Sequence, residues 1–208
     1  MERIGIVRLA YASLMAALFS LAVQPIAARA QAFDESKIRG YDYTGAYGQF
    51  GVAVGEINFD FDGADNDSDA SGGFTLTGGY RFLPWLAAEG NFTYLGGGDV
   101  EFNNTDVGEG QFFAFTFGPK LYPLGFFKAE GIPHIFQPYA LIGIGGGEFD
   151  IDDTSFDDES SFLSRFILGF DVWATDHIGL FVEGGGHVAS DDDVEGVGIF
   201  TVGGQYRF

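Results

Sequence analysis

Apolar and polar residues alternate along most of this chain with a period of two, the spacing of a pleated strand whose successive side chains point to opposite faces. The last segment shows it best. Phe200, Val202, Gly204, Tyr206 and Phe208 share one parity, and Glu195, Thr201, Gln205 and Arg207 share the other. Seven earlier segments repeat the pattern, at about 43–59, 71–82, 85–95, 110–122, 137–149, 162–174 and 178–189. In the first, Phe50, Val52 and Val54 oppose Gln49, Gly51 and Ala53; in the second, Phe74, Leu76, Tyr80 and Phe82 oppose Thr75, Thr77 and Arg81. Leu86, Ala88, Phe92 and Tyr94 then oppose Glu89, Asn91 and Thr93, and Phe113, Phe115, Phe117 and Leu121 oppose Ala114, Thr116 and Lys120. The fifth is ambiguous, since Tyr139 and Leu141 compete with Ala140, Ile142 and Ile144 for the apolar face. In the sixth, Phe166, Leu168, Phe170 and Val172 oppose Arg165 and Asp171, and in the seventh, Ile178, Leu180 and Val182 oppose Glu183 and His187. Helical periodicity is scarce, so the pattern predicts an all-β chain.

The connections alternate too. Short turns are expected at Leu83-Pro84 and Thr175–His177, with a longer one from Pro123 to Ile135. The other end carries polar loops at 60–70, 96–109, 147–160 and 190–195, which hold twenty of the chain's 30 acidic residues and no Lys or Arg. Oily and wet faces on each strand, with short turns at one end and long loops at the other, describe an eight-stranded antiparallel up-and-down barrel that crosses a membrane. No segment after the first thirty residues is apolar for long enough to make a spanning helix.

The N-terminus agrees. Arg3 and Arg8 precede an apolar run from Leu9 to Val23, and Ala28-Arg29-Ala30 offers small residues at a cleavage site, so 1–30 reads as a secretory signal peptide. The expected organisation is that leader, a short N-terminal segment at 31–42, and a barrel at 43–208. A net charge of −20 repels nucleic acid, whose binding needs Lys and Arg to displace counterions. The absence of cysteine leaves stability to the hydrogen-bonded wall rather than to disulfides.

Four motifs, GAYGQFGVAVG from Gly45, GGYRFLPWLAAEGNFTY from Gly78, PYALIGIGGG from Pro138 and the closing QYRF, occur in order and at barrel spacing. Together they resemble the small OmpA-type or opacity-type outer-membrane β-barrels of the porin family, over nearly the whole region after the leader. The resemblance implies the bacterial outer membrane with both termini periplasmic, and lipid and lipopolysaccharide as surroundings. It also implies a C-terminal signal, Tyr206 and Phe208, read by the barrel-insertion machinery. Fold does not settle role in such a family.

Several constellations carry candidate chemistry. The inward set Arg81, Glu89, Lys120, Arg165, Asp171, Glu183 and Arg207 predicts a barrel-interior charge network, because charges of both signs in an eight-strand lumen must pair. It is read as a polar plug rather than a conducting pore, with Arg81 and Glu89, which flank the first turn, as the closest pair. The run Asp65–Asp69 suggests calcium but fails the EF-hand pattern, with Ala70 at the required Gly and Leu76 at the required Glu. The acidic loops therefore read as a solvated rim that loosely collects divalent cations. His187, Ser190 and Glu183 are the best hydrolase candidates, yet positions 187 and 190 point to opposite faces of a strand, and no enzymatic activity or cofactor is expected. Tyr43, Tyr80, Phe82, Tyr122, Tyr206 and Phe208 suggest one interfacial aromatic girdle, and Phe59, Phe74, Phe112, Phe149 and Phe162 a second. Trp85 and Trp173 fall on inward parity, which a girdle does not explain. The expected function is surface structure and display or adhesion through the acidic loops, with a narrow pore or a conduit for small hydrophobic molecules as the alternative and lipid A modification behind both. A soluble barrel is the competing architecture, with the phenylalanine rows inside and the arginines in water.

Overall fold

A computed structural model describes residues 40–59, 66–68, 70–102, 105–127, 133–151, 159–190 and 194–208. The expected leader, most of the 31–42 segment and much of the four acidic loops lie outside the described residues. After a 3-10 turn at Gly40–Asp42 come β1 (Gly45–Phe59), β2 (Asn66–Ser68), β3 (Ser71–Leu83), β4 (Leu86–Phe102) and β5 (Thr105–Leu121). A short helix, α1 (Pro123–Phe127), leads to β6 (Phe136–Ile151), β7 (Glu159–Trp173), β8 (Ile178–Ala189) and β9 (Val194–Arg207). β2 pairs only with the far end of β4, at Val100–Phe102. The other eight strands form one wall, each antiparallel to its neighbours, and β9 pairs with β1 to close it. Closure removes the free edges that a sheet otherwise exposes.

The stagger of that wall can be followed residue by residue. From Gly45 the cross-strand partners are Arg81, Ala87, Lys120, Leu141, Ile167, Gly185 and Ile199, and the row returns to β1 at Gly55, ten residues beyond its start. With strands about 4.8 Å apart and a rise of about 3.3 Å per residue, this offset tilts them by about 40° to the barrel axis.

Which way each side chain faces follows the alternation. Phe115 is 62% exposed and Leu168 70% exposed, while Thr116 and Ile167 beside them are buried. The ambiguous strand is resolved in β6: Tyr139 and Leu141 point inward, and Ile142 and Ile144 point outward. The phenylalanine rows thus lie outside and the arginines inside, the reverse of a soluble barrel.

Strand ends depart from the expected bounds. The loop expected at 96–109 is instead a continuation of β4 and β5 as a hairpin to Phe102 and Thr105, with register shifts at Gly96/Gly98 and Val100/Glu101. Alternating hydropathy marks where the oily surroundings end, whereas backbone pairing needs no apolar side chains and continues into water. In the turn before β8, the Thr175 hydroxyl accepts from the amides of His177 (3.2 Å) and Ile178 (2.9 Å), the usual use of Thr in a tight turn. The amide of Phe208 donates to the Ala46 carbonyl at 3.0 Å, tying the last residue to the first wall strand.

Candidate functional site in the barrel lumen

The pleat sends every second side chain into the lumen, and the tilt decides which of them meet. All seven charged residues expected inside are buried. At mid-barrel, Glu89 on β4 receives the Lys120 ammonium at 2.9 Å and the Tyr47 hydroxyl at 2.9 Å, with Arg165 Nη1 at 3.6 Å from its other oxygen. Arg165 on β7 also donates from Nη2 to Glu183 at 3.0 Å, and Glu183 accepts the Tyr139 hydroxyl at 2.9 Å. One guanidinium therefore links carboxylates from β4 and β8. The Lys120 ammonium lies 3.7 Å from the centre of the Tyr139 ring, a cation–π contact in a water-poor setting.

A repeated arrangement seats the two tyrosines. Tyr47, Gly79 and Glu89 are successive cross-strand partners on β1, β3 and β4, and Tyr139, Gly169 and Glu183 are successive partners on β6, β7 and β8. In each set the ring lies over the glycine and its hydroxyl reaches the glutamate beyond. A methyl group at Gly79 or Gly169 would overlap the ring, so both positions need glycine for close approach.

Nearer the short turns, a second layer is built from cations and rings. Arg81 donates from Nη1 to Gln137 Oε1 at 2.6 Å and from Nη2 and Nε to the Pro84 carbonyl, and its guanidinium lies 4.0 Å from the Tyr122 ring centre. Tyr122 in turn donates to Asp171 at 3.1 Å. Arg207 shares Gln137 Oε1 at 3.1 Å and lies against the rings of Trp173 (3.4 Å) and Tyr43 (4.3 Å). Inward-facing Trp173 is thus explained as a platform for Arg207. Trp85 sits in the first turn with its ring edge-on to Phe126 at 5.9 Å.

These contacts correct two expectations. Arg81 and Glu89 are not the closest pair: although the register sets them on a diagonal, the Arg81 side chain turns back toward the Pro84 carbonyl and Tyr122, and Glu89 takes Lys120 and Arg165. Tyr43, Tyr122 and Phe112 are not girdle residues, because all three are buried in the lumen, where parity and pairing hold them. Tyr80, Phe82, Phe162, Tyr206 and Phe208 do face outward. The side chains of Phe59 and Phe149 lie outside the described residues.

The layer toward the long loops contains no ion pairs among the described residues, and sequence reading had no signal for it. Leu95, Phe112, Leu163, Val197 and Ile199 pack together there across four strands. These residues sit on inward parity among polar ones, so each looks like an interruption until the tilt brings them to one level. His187 lies in this layer, 1% exposed and edge-on to Phe112 at 5.4 Å, with neither ring nitrogen hydrogen-bonded. Glu183 is committed to Arg165 and Tyr139, and Ser190 is exposed at the strand end, so the hydrolase candidates do not assemble. Among the described residues no group of three or more His, Asp or Glu is arranged to hold a metal ion. Much of the acidic loops suggested as loose cation sites lies outside them.

A family model described as the outer membrane protein beta-barrel domain matches residues 13–208. Similar solved structures include Neisserial surface protein A, at 13% identity and a TM-score of 0.59, covering 78% of this chain and 97% of that one. OprG from Pseudomonas aeruginosa is 19% identical with a TM-score of 0.57, covering 82% and 99%. Ail, the attachment invasion locus protein of Yersinia pestis, is 18% identical with a TM-score of 0.52, covering 79% and 99%, and a second Ail structure is a complex with the heparin analogue sucrose octasulfate. No curated protein matches the chain.

Proposed function

The chain belongs to the outer membrane protein β-barrel domain family and so to the bacterial outer membrane, and from that premise we propose that it is a non-enzymatic structural and display protein with a sealed lumen. The observation that carries this reading is the pair of layers closing the barrel: Leu95, Phe112, Leu163 and Val197 toward the loops, and Arg81, Tyr122, Trp173 and Arg207 toward the turns, all buried. Between them the ion network cross-links β4, β5, β7 and β8, which suits a plug that holds strand register. The wall buries its apolar rows in lipid, and the acidic loops face the exterior.

Those loops hold no Lys or Arg, so a sulfated polyanion of the kind bound by Ail is a poor match for them. A cationic surface, or lipopolysaccharide phosphates bridged by divalent cations, fits their charge better. In this reading the outward-facing Tyr206 and Phe208 rings form the signal read by the barrel-insertion machinery. The conduit reading rests on Arg165 being shared between Glu89 and Glu183, the kind of arrangement an ion-pair gate would need. Planar-bilayer recording separates the two. The purified protein should give no steady conductance above the lipid background, whereas openings that vanish in an Arg81 or Glu89 variant would establish the conduit.

A further inference from the structure

The barrel's lipid-facing surface does not stop at the strand ends. Outward-facing Leu121 closes β5, the buried Tyr122 follows, and α1 then turns two large rings outward: Phe126 is 63% exposed and Phe127 72% exposed. The helix is held firmly against the turn beneath it. The Tyr122 amide donates to the Trp85 carbonyl at 2.9 Å, the Gly125 amide donates to the Tyr122 carbonyl at 3.1 Å, and Gly125 packs so tightly on the Pro84 carbonyl that no side chain would fit. Phe126 meets Trp85 edge-on, and Phe127 meets Phe126 edge-on at 5.2 Å. A fixed cluster of three aromatic rings therefore projects from the rim, at the end of the wall where exposed Leu83 and Leu121 flank Leu86 in register and exposed Phe82 precedes them.

Two exposed phenylalanines on a one-turn helix are costly in water, and rigid aromatic groups at the edge of an apolar band suit the boundary between acyl chains and headgroups. We propose that α1 is an interfacial foot, with Phe126, Phe127 and Trp85 seated among the glycerol and upper acyl groups of the phospholipid leaflet at the short-turn end. The occupant is phospholipid because the foot sits beside Leu83, Leu86 and Leu121, which pair in register at the end of the wall that faces the lipid. The inference rests on the membrane orientation above, which makes this leaflet the periplasmic one. Its effect is to fix the depth and tilt of the barrel, since a lateral anchor at one point of the rim resists both sliding and rocking.

The full chain lacks cysteine, so a single nitroxide at F127C reports cleanly. With the barrel refolded into phosphatidylcholine/phosphatidylglycerol vesicles, power saturation should show the label favouring oxygen over an aqueous nickel chelate, with an accessibility ratio within about threefold of that at the wall position F115C. A label at F127C that favours the nickel chelate while F115C favours oxygen overturns the foot and leaves the barrel assignment standing. If both labels favour the chelate in protein that shows folded-form gel mobility, the membrane reading fails and the foot fails with it. The vesicles hold no other protein, so a rim that needs a protein partner also appears as an aqueous label.

Discussion

At the scale of single residues, the lumen combines ion-paired groups with polar ones that have no hydrogen-bond partner, His187 among them. Arg165 serves two carboxylates from strands on different sides of the barrel, so Arg165→Met should leave Glu183 with only Tyr139 and weaken Glu89. Breaking a buried pair by removing one partner costs about 3–5 kcal/mol. Urea unfolding from phospholipid vesicles should show a loss of that size, and a loss below about 1 kcal/mol would mean the carboxylates recruit water. His187 predicts the opposite sign. It has neither donor nor acceptor partner, although it sits between Val197 and its cross-strand neighbour Arg165 and edge-on to Phe112, and an unsatisfied buried polar group costs about 1–3 kcal/mol. His187→Leu should therefore raise the urea midpoint, and a lowered midpoint would show that the imidazole is hydrogen-bonded in the membrane.

At the scale of elements, most of the wall was legible in the sequence because one physical rule, oil on one side and polar packing on the other, repeats in every strand. Glu183 and Arg207 could be placed inside from parity alone. β6 could not be oriented this way, since Tyr139 and Leu141 are as apolar as Ile142 and Ile144. What decides is the set of partners: Tyr139 has Glu183 and Lys120 to meet inside, and Ile142 has only lipid outside. Ile142→Arg should then cost about 2–4 kcal/mol in the same unfolding assay if the position lies near mid-bilayer, and a neutral outcome would reverse the facing of the strand. The hairpin beyond Gly96 was hidden for the complementary reason, because strands that leave the oil lose the signal that reveals them. Girdle membership of Tyr43, Tyr122 and Phe112 was misread because strand-end aromatics serve the lumen as readily as the interface. The apolar layer toward the loops stayed invisible because its members, on four strands, come together only through the tilt.

At the scale of the whole molecule, closure and burial on both faces of one wall predict how the protein behaves in bulk. It should resist extraction by salt, require detergent, and run faster on a gel unheated than boiled, because the closed wall survives detergent until heat opens it. Release by salt alone would restore the soluble architecture. The ten-residue offset between Gly45 and Gly55 carries a further consequence. Sliding β9 along β1 by two positions would leave every phenylalanine in lipid and every arginine indoors, so solvent preference cannot police that error. It would, however, change the circumference and carry Arg207 away from Tyr43, while Gln205 lost Gln49. The enclosed polar contacts thus act as a combination lock on assembly, distinguishing the correct cylinder from near copies that hydropathy alone would accept.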